Sequence, residues 1–285
     1  MPKISESDLI LNKDGSIFHL SLKPENIADT IIAVGDPSRV YNVSEHFDRI
    51  DFEMNKREFI THTGRYKGKR LTVMSTGMGT DNIEIFLTEL DALVNIDLKK
   101  RELKPRKKRL KIIRVGTSGA LQEDIALGSS LVSESAIGLD ALMCYYNLPQ
   151  SVESKKLAKK INEFVKLPLR PYIVKCSEKL IDTIGKGMIR GNTVTCPGFY
   201  APQGRKIRID LKYPTLLEDL NYFHDDGFWL TNFEMETAAY YALGKILGHD
   251  VLSVNAIIAN RITNKVSKRP EKIIDDLIKV VLDRL

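Results

Sequence analysis

The stretch Lys111-Ile112-Ile113-Arg114-Val115-Gly116-Thr117-Ser118-Gly119-Ala120 decides the fold. Its first half is a short, β-branched apolar run, as a strand buried on both faces requires. Its second half is built of small residues, whose backbone can approach an anion closely. The same design occurs earlier, in Ile31-Ile32-Ala33-Val34-Gly35-Asp36-Pro37-Ser38-Arg39, where an apolar run stops in a glycine turn and delivers an arginine. Outward from these two, strand signals recur at 58–63, 70–76, 129–133, 189–195 and 251–259. Gly64 and Gly68 predict a hairpin between Phe59 and Met74, so the sheet is expected to be mixed. Helical periodicity is clearest over Asn82–Ile96, where Ile83, Phe86, Leu87, Leu90, Leu93 and Val94 share one face. Further helices fit 151–165, 177–186, 234–247 and 270–284. Strands alternating with helices, with glycine turns at strand ends, predict a three-layer α/β/α fold with a mixed central β-sheet. In such folds ligands gather beyond the strand ends, where this reading places Arg39, Thr117 and Arg205.

The length of 285 residues suits one domain over 1–285, since no Pro/Gly/Ser-rich linker or repeat divides it. Met1 to Asp14 is polar and charged, without the apolar core of a signal peptide. No apolar stretch approaches the ~20 residues that a membrane helix needs. Cys144, Cys176 and Cys196 are odd in number, widely spaced and without metal-ligand spacing, which fits a reduced cytoplasm. The net charge of +6 suggests a polyanion partner, but residues 99–111 alone hold nine of the 43 basic residues and one of the 37 acids. Without that run the chain carries −2, so the basicity belongs to one loop. The run has no aromatic for base stacking, and no nucleic-acid partner is expected.

Two further segments carry chemistry. Asn232-Phe233-Glu234-Met235-Glu236-Thr237 places two carboxylates around a methionine where a turn enters the apolar helix Thr237 to Leu247. Carboxylates at that spacing cannot share a helical face, so one suits a structural role and the other a site. A carboxylate accepting from vicinal hydroxyls is a standard way to hold a ribose. Phe199-Tyr200-Ala201-Pro202-Gln203-Gly204-Arg205 offers an aromatic face, an amide and a guanidinium. Anion, sugar and flat heterocycle together describe a nucleoside plus phosphate.

Taken in order, Gly-Asp-Pro-x-Arg at 35–39, Arg-x-Gly-Thr-x-Gly-Ala at 114–120 and Glu-Met-Glu at 234–236 resemble the nucleoside phosphorylase/hydrolase superfamily. Within it the chain is similar to uridine phosphorylases, through Phe18-His19-Leu20, Lys56-Arg57-Glu58-Phe59, Gln203-Gly204-Arg205 and Asn260-Arg261. The resemblance implies phosphorolysis of uridine to uracil and ribose 1-phosphate in pyrimidine salvage, with inorganic phosphate as co-substrate and no required cofactor. It assigns phosphate to Gly35, Arg39, Arg114 and Thr117, with Arg57 reaching in from a neighbouring subunit. It assigns ribose to Glu236, Met235 and Thr117, with His19 of the neighbour meeting the 5′-hydroxyl. Phe199, Gln203 and Arg205 would meet the base, and Arg261 would order Arg205 or a bridging water. Arg205, Arg114 and Glu236 would carry catalysis, and Glu234 would bond either backbone or sugar. A homodimer or hexamer with shared sites is implied.

Related purine phosphorylases protonate the base from an aspartate after the last strand. This chain reads Ile257-Ile258-Ala259-Asn260-Arg261 there, which disfavours a purine. The alternatives are a purine-specific relative, a nucleosidase, which would not need the Arg39, Arg57 and Arg114 cluster, or a non-catalytic nucleotide- or RNA-binding relative using the 99–111 loop. The chain departs from the family at Thr80-Asp81-Asn82, where Gly-Pro-Ser is common, and at Pro202. Only Glu58 matches the monovalent-cation site of bacterial relatives, so dependence on such a cation is left open, and no other metal site is implied.

Overall fold

In the computed structural model, which describes residues 3–285, the elements follow the apolar pattern. The first two residues of the polar N-terminal stretch lie outside the described residues. Thr30–Val34 (β1) leads into a short helix, Ser38–Ser44 (α1), and a meander of Arg49–Lys56 (β2), Phe59–Tyr66 (β3) and Lys69–Ser75 (β4). The expected hairpin is present, with Thr61 opposite Met74 and Tyr66 opposite Lys69. Thr80–Asn95 (α2) buries Ile83, Phe86, Leu87, Leu90 and Leu93, as its periodicity requires. A small hairpin, Ile96–Asp97 (β5) with Glu102–Leu103 (β6), precedes Lys111–Ala120 (β7) and Ser130–Gly138 (β8). Then come Val152–Val165 (α3), Tyr172–Lys175 (β9), Glu178–Thr183 (α4), Ile189–Thr195 (β10) and Leu216–Tyr222 (α5). A second hairpin, His224–Asp225 (β11) with Phe228–Trp229 (β12), is followed by Asn232–Glu234 (β13) and Thr237–Leu247 (α6). Asp250–Asn260 (β14), Lys265–Val266 (β15) and Pro270–Asp283 (α7) complete the chain.

One mixed sheet of eleven strands runs β15-β14-β8-β10-β13-β7-β1-β4-β3-β2, with β9 also on β8. Successive residues of β1 enter opposite layers. Ile31 and Ala33 pack with α2 and α6, whereas Ile32 and Val34 pack with α1, α4 and α7. Apolar side chains on both faces are what a strand between two helical layers needs. Helices α3 and α5 cover a third cluster around Ile137, Val194 and Phe233.

β7 does more than the expected 111–116 strand. It pairs with β1 only over Lys111–Val115, then continues to Ala120, where it pairs antiparallel with β13. On its other side β14 accompanies it over the whole length. Because β14 also pairs with β8, the strands β8, β10, β13, β7 and β14 close on themselves. Thr117 therefore lies within a strand and not beyond its end. The glycines at 116 and 119 leave the backbone room to turn from one neighbour to the other.

Four of the nine basic residues of 99–111 stitch the fold. Arg101 donates to the Leu9 and Ser5 carbonyls, and Lys104 to Leu93 and Val94 at the carboxyl end of α2. Lys108 pairs with Asp29 and Arg109 with Asp250. Among the described residues no helix is long and apolar enough to cross a membrane.

Candidate active site

Arg114 lies folded back over its own strand. A Cβ on Gly116 would stand 2.1 Å from Arg114 Nη1, so only glycine leaves this space to the guanidinium. The parallel register sets Arg114 opposite Ser253. Its Nη1 donates to Asn255 Oδ1 at 2.9 Å and to Ser253 Oγ at 3.3 Å. Its Nη2 donates to Glu236 Oε2 at 2.6 Å and lies 2.8 Å from Glu234 Oε2. All three charged side chains are buried. Burial alone would push the guanidinium below its ordinary value, but Glu234 and Glu236 together outweigh it and hold it above. The Glu236 carboxyl is raised by burial and by Glu234, against the opposing pull of Arg114.

The Glu-Met-Glu pair divides its labour. Glu234 ends β13 and accepts the backbone N–H of Glu236 and Thr237 and the Thr195 hydroxyl. Thr195 Oγ1 in turn accepts the Ala238 N–H. The first turn of α6 is thereby satisfied, as a buried helix start requires. Of the two alternatives for Glu234, the structure has the backbone-bonding one. Of the two starts read for this helix, 234 and Thr237, the structure has Thr237, because Glu234 is held in a strand paired with β10. Glu236 Oε1 accepts the Gly79 N–H at 2.9 Å. That contact comes from a turn with Gly77 and Gly79 at φ +70° and +96°, conformations that glycine adopts without strain. Asn82, one of the departures from the family pattern, ties the turn by donating to the Met78 carbonyl. Met235 is half-buried beside it.

Arg39 stands in the first turn of α1, half-buried, with no carboxylate within ion-pair distance among the described residues. Burial pushes its guanidinium down; Asp36 opposes this and Arg114 adds to it. A guanidinium without a partner, close to a second one, is an arrangement that an oxyanion completes. Gly35 and Gly77 meet behind it, a Cβ on Gly35 falling 3.4 Å from the Gly77 carbonyl. Thr117 is the one partly exposed residue between Ile112 and Ala120.

A second cluster adjoins through Phe233. Arg205 stacks on Phe199, with 3.8 Å from guanidinium carbon to ring centre, and donates to Gln203 Oε1 and the Phe199 carbonyl. Arg261 donates to the Gln203 carbonyl at 3.0 Å. Both arginines lie 5.7 Å from the Phe233 ring centre. Burial, and then Arg261, push Arg205 down to about 10, so it is a cation at neutral pH. Neither arginine has an ion pair among the described residues, so the cluster offers an amide and two cations but no acid. Asn260 is fully engaged elsewhere, donating to the Gln122 and Ile125 carbonyls and accepting from Ile262 and Thr263. Cys196 is buried, and burial pushes its thiol up, as in a packed core residue.

The structure therefore joins Arg114 to Glu236, with Arg39 and the Gly35 turn nearby, on one side and Phe199, Gln203, Arg205 and Arg261 on the other. Met235 adjoins Glu236 in the chain and Thr117 follows Arg114 on β7. His19 and Arg57 join neither group by hydrogen bond or ion pair within this chain. His19 Nδ1 pairs with Glu89 at 2.7 Å, and Glu89 also accepts the backbone N–H of His19 and Leu20. Arg57 stands exposed at the tip of the β2–β3 hairpin with φ +54°. Glu58, beside it, lies against Gly77. Ser253, Asn255 and Phe233 were missed by sequence reasoning. The signal for the first two was present: polar residues at alternate positions of an apolar strand share one face and need partners there.

Comparison with known proteins follows the same lines. The profile of the Phosphorylase superfamily matches residues 29–281. A uridine phosphorylase of Thermococcus kodakarensis is 31% identical over 264 residues, covering 91% of this chain and 83% of that one. A DeoD-type purine nucleoside phosphorylase of Streptococcus suis is 27% identical, covering 94% and 98%. The crystal structure of a Trypanosoma brucei nucleoside phosphorylase, described as showing uridine phosphorylase activity, superposes with a TM-score of 0.89 at 30% identity, covering 98% and 99%.

Proposed function

The chain belongs to the phosphorylase superfamily, and on that premise we propose that it is a uridine phosphorylase. The observation that carries the choice of base is the cluster of Gln203, Arg205 and Arg261, which has cations and an amide but no acid. Uracil can leave as a resonance-stabilised anion, so a hydrogen-bonded cation suffices to stabilise it. A purine usually wants protonation at N7, and Asn260 is neither acidic nor free. Relatives of similar identity include both uridine and purine enzymes, so the choice of base rests on the site.

In this reading phosphate sits between Arg39 and Arg114, near Thr117 and the Gly35 backbone. Glu236 accepts from the 2′- and 3′-hydroxyls, with Met235 against the sugar. A phosphate oxygen forms the bond to C1′ as the C1′–N1 bond breaks, and the electron pair passes into the uracil ring. The sugar passes through an oxocarbenium-like state. Gln203 pairs with the N3–H and O2 edge, Arg205 donates to O4, Phe199 stacks on the ring, and Arg261 orders the loop through the Gln203 carbonyl. His19, set by Glu89, and the hairpin-tip Arg57 serve the neighbouring copy, so the enzyme is a homo-oligomer.

The test follows uracil release from uridine by absorbance with and without phosphate, with inosine in parallel. The expected result is phosphate-dependent release, with inosine cleaved at least about 100-fold more slowly. Release without phosphate would make the protein a hydrolase, and preference for inosine would overturn the base assignment. A second variant tests the anion side. Gly116→Ala drives a methyl into Arg114 Nη1 and is expected to raise the KM for phosphate by about tenfold or more. An unchanged phosphate KM would show that Arg114 does not need its place over Gly116.

A further inference from the structure

Both terminal nitrogens of Arg114 are already engaged. Nη1 serves Asn255 and Ser253, while Nη2 faces Glu236 at 2.6 Å and Glu234 at 2.8 Å. One cation between two carboxylates leaves that trio at −1, and Arg39 brings the four groups to neutrality. A phosphate arriving here meets an occupied guanidinium, not an open fork.

The two carboxylates are held very differently. Glu234 is pinned through both oxygens by two backbone N–H groups and the Thr195 hydroxyl. Among the described residues Glu236 is tied by Gly79 through Oε1 only, and its Oε2 has Arg114 as its sole partner. Glu236 can therefore rotate about its one Gly79 contact, whereas Glu234, held through both oxygens, cannot turn.

We propose that Glu236 is exchanged between Arg114 and the sugar, so that nucleoside binding itself releases Arg114 for phosphate. This rests on the uridine phosphorylase reading above. When two sugar hydroxyls donate to Glu236, they replace the guanidinium as partners, so its buried charge is not left unpaired. Nη2 is then free to donate to a phosphate oxygen, while Glu234 keeps the guanidinium in place. The two substrates are linked through one carboxylate, and each raises the affinity for the other by the same factor. Glu236 is thus a ribose ligand that also gates the anion site.

The experiment is calorimetric titration with inorganic sulfate, an unreactive stand-in for phosphate, on wild type alone and on wild type saturated with uridine. The same pair is run on Glu236→Gln. Uridine is expected to raise sulfate affinity about tenfold in wild type. In Glu236→Gln sulfate is expected to bind about tenfold more tightly than in free wild type, with uridine adding less than about twofold. Equal sulfate affinity with and without bound uridine in wild type overturns the exchange. If uridine does not bind, the reading of the nucleoside fails by itself. Occupancy of Arg114 by Glu236 is then tested on Glu236→Gln alone, and is overturned if that variant binds sulfate no more tightly than wild type. Should Glu236→Gln not fold, the two wild-type titrations decide.

Discussion

Arg114→Met is expected to abolish turnover and to destabilise the fold by about 3–5 kcal/mol, the cost typical of breaking a buried ion pair from one side. The reason is local. Glu234 and Glu236 have side chains only 2% and 8% exposed, and Arg114 is the cation that both face. Removing it leaves two like charges sharing a dry site, whereas methionine fills much of the lost volume, so the loss reports charge more than cavity. The sign of the pH dependence follows. Glu236 already has its carboxyl raised above the ordinary 4.5 by burial and by Glu234, against the pull of Arg114. A carboxyl raised on folding contributes stability that is full below the unfolded value and lost as pH rises through the folded one. Without Arg114 that rise is larger, so the deficit of the variant should widen between about pH 5 and pH 8. Urea denaturation at both pH values measures it. A deficit under about 1 kcal/mol, or one that shrinks as pH rises, would sink the argument. The double variant Arg114→Met/Glu236→Gln should recover part of the loss at pH 8, because one of the two buried charges is gone.

Arg205→Ala should lower uridine turnover by about 10²- to 10³-fold, the scale on which one donor to a developing negative charge is worth. The fold should survive. Arg205 is only half-buried, has no ion pair among the described residues, and touches the Phe199 ring and the Gln203 amide. The expected signature is a fall in both kcat and kcat/KM, since the bond to O4 strengthens as the base departs. Arg205→Lys keeps the charge and loses the planar fork, so it should fall between the two. Steady-state kinetics with uridine, alongside thermal melts, separate the cases. Wild-type rates in Arg205→Ala would remove this residue from the site.

Much of the fold was legible because it depends on near neighbours in the chain. The doubly apolar runs at 31–34 and 111–115 announced strands with helices on both faces, and the 83-86-87-90-93 face announced α2. Short elements were not legible. β2, with mostly exposed and alternating polar residues, lacks the apolar run of a buried strand, and α1 is only two turns long. In the sequence the start of α6 stays open between 234 and Thr237, because the residue that caps it, Glu234, belongs to a strand whose partners lie 39 and more residues away in sequence.

The sequence by itself determined which residue types this protein brings to its site: guanidinium groups after glycine turns, an amide beside an aromatic, and paired carboxylates. Only the tertiary structure decided which of them meet. Arg114 and Glu236 are 122 residues apart and meet because β13, which leads into Glu236, pairs antiparallel with β7, while the register of β14 on β7 sets Ser253 and Asn255 under the guanidinium. A slip of one residue would turn Arg114 to the opposite face, since side chains alternate along a strand. Local spacing carries no information about that register. It is fixed by the burial of Ile112, Ile113, Leu252 and Val254 in the two apolar layers, and the charged site inherits its geometry from that packing.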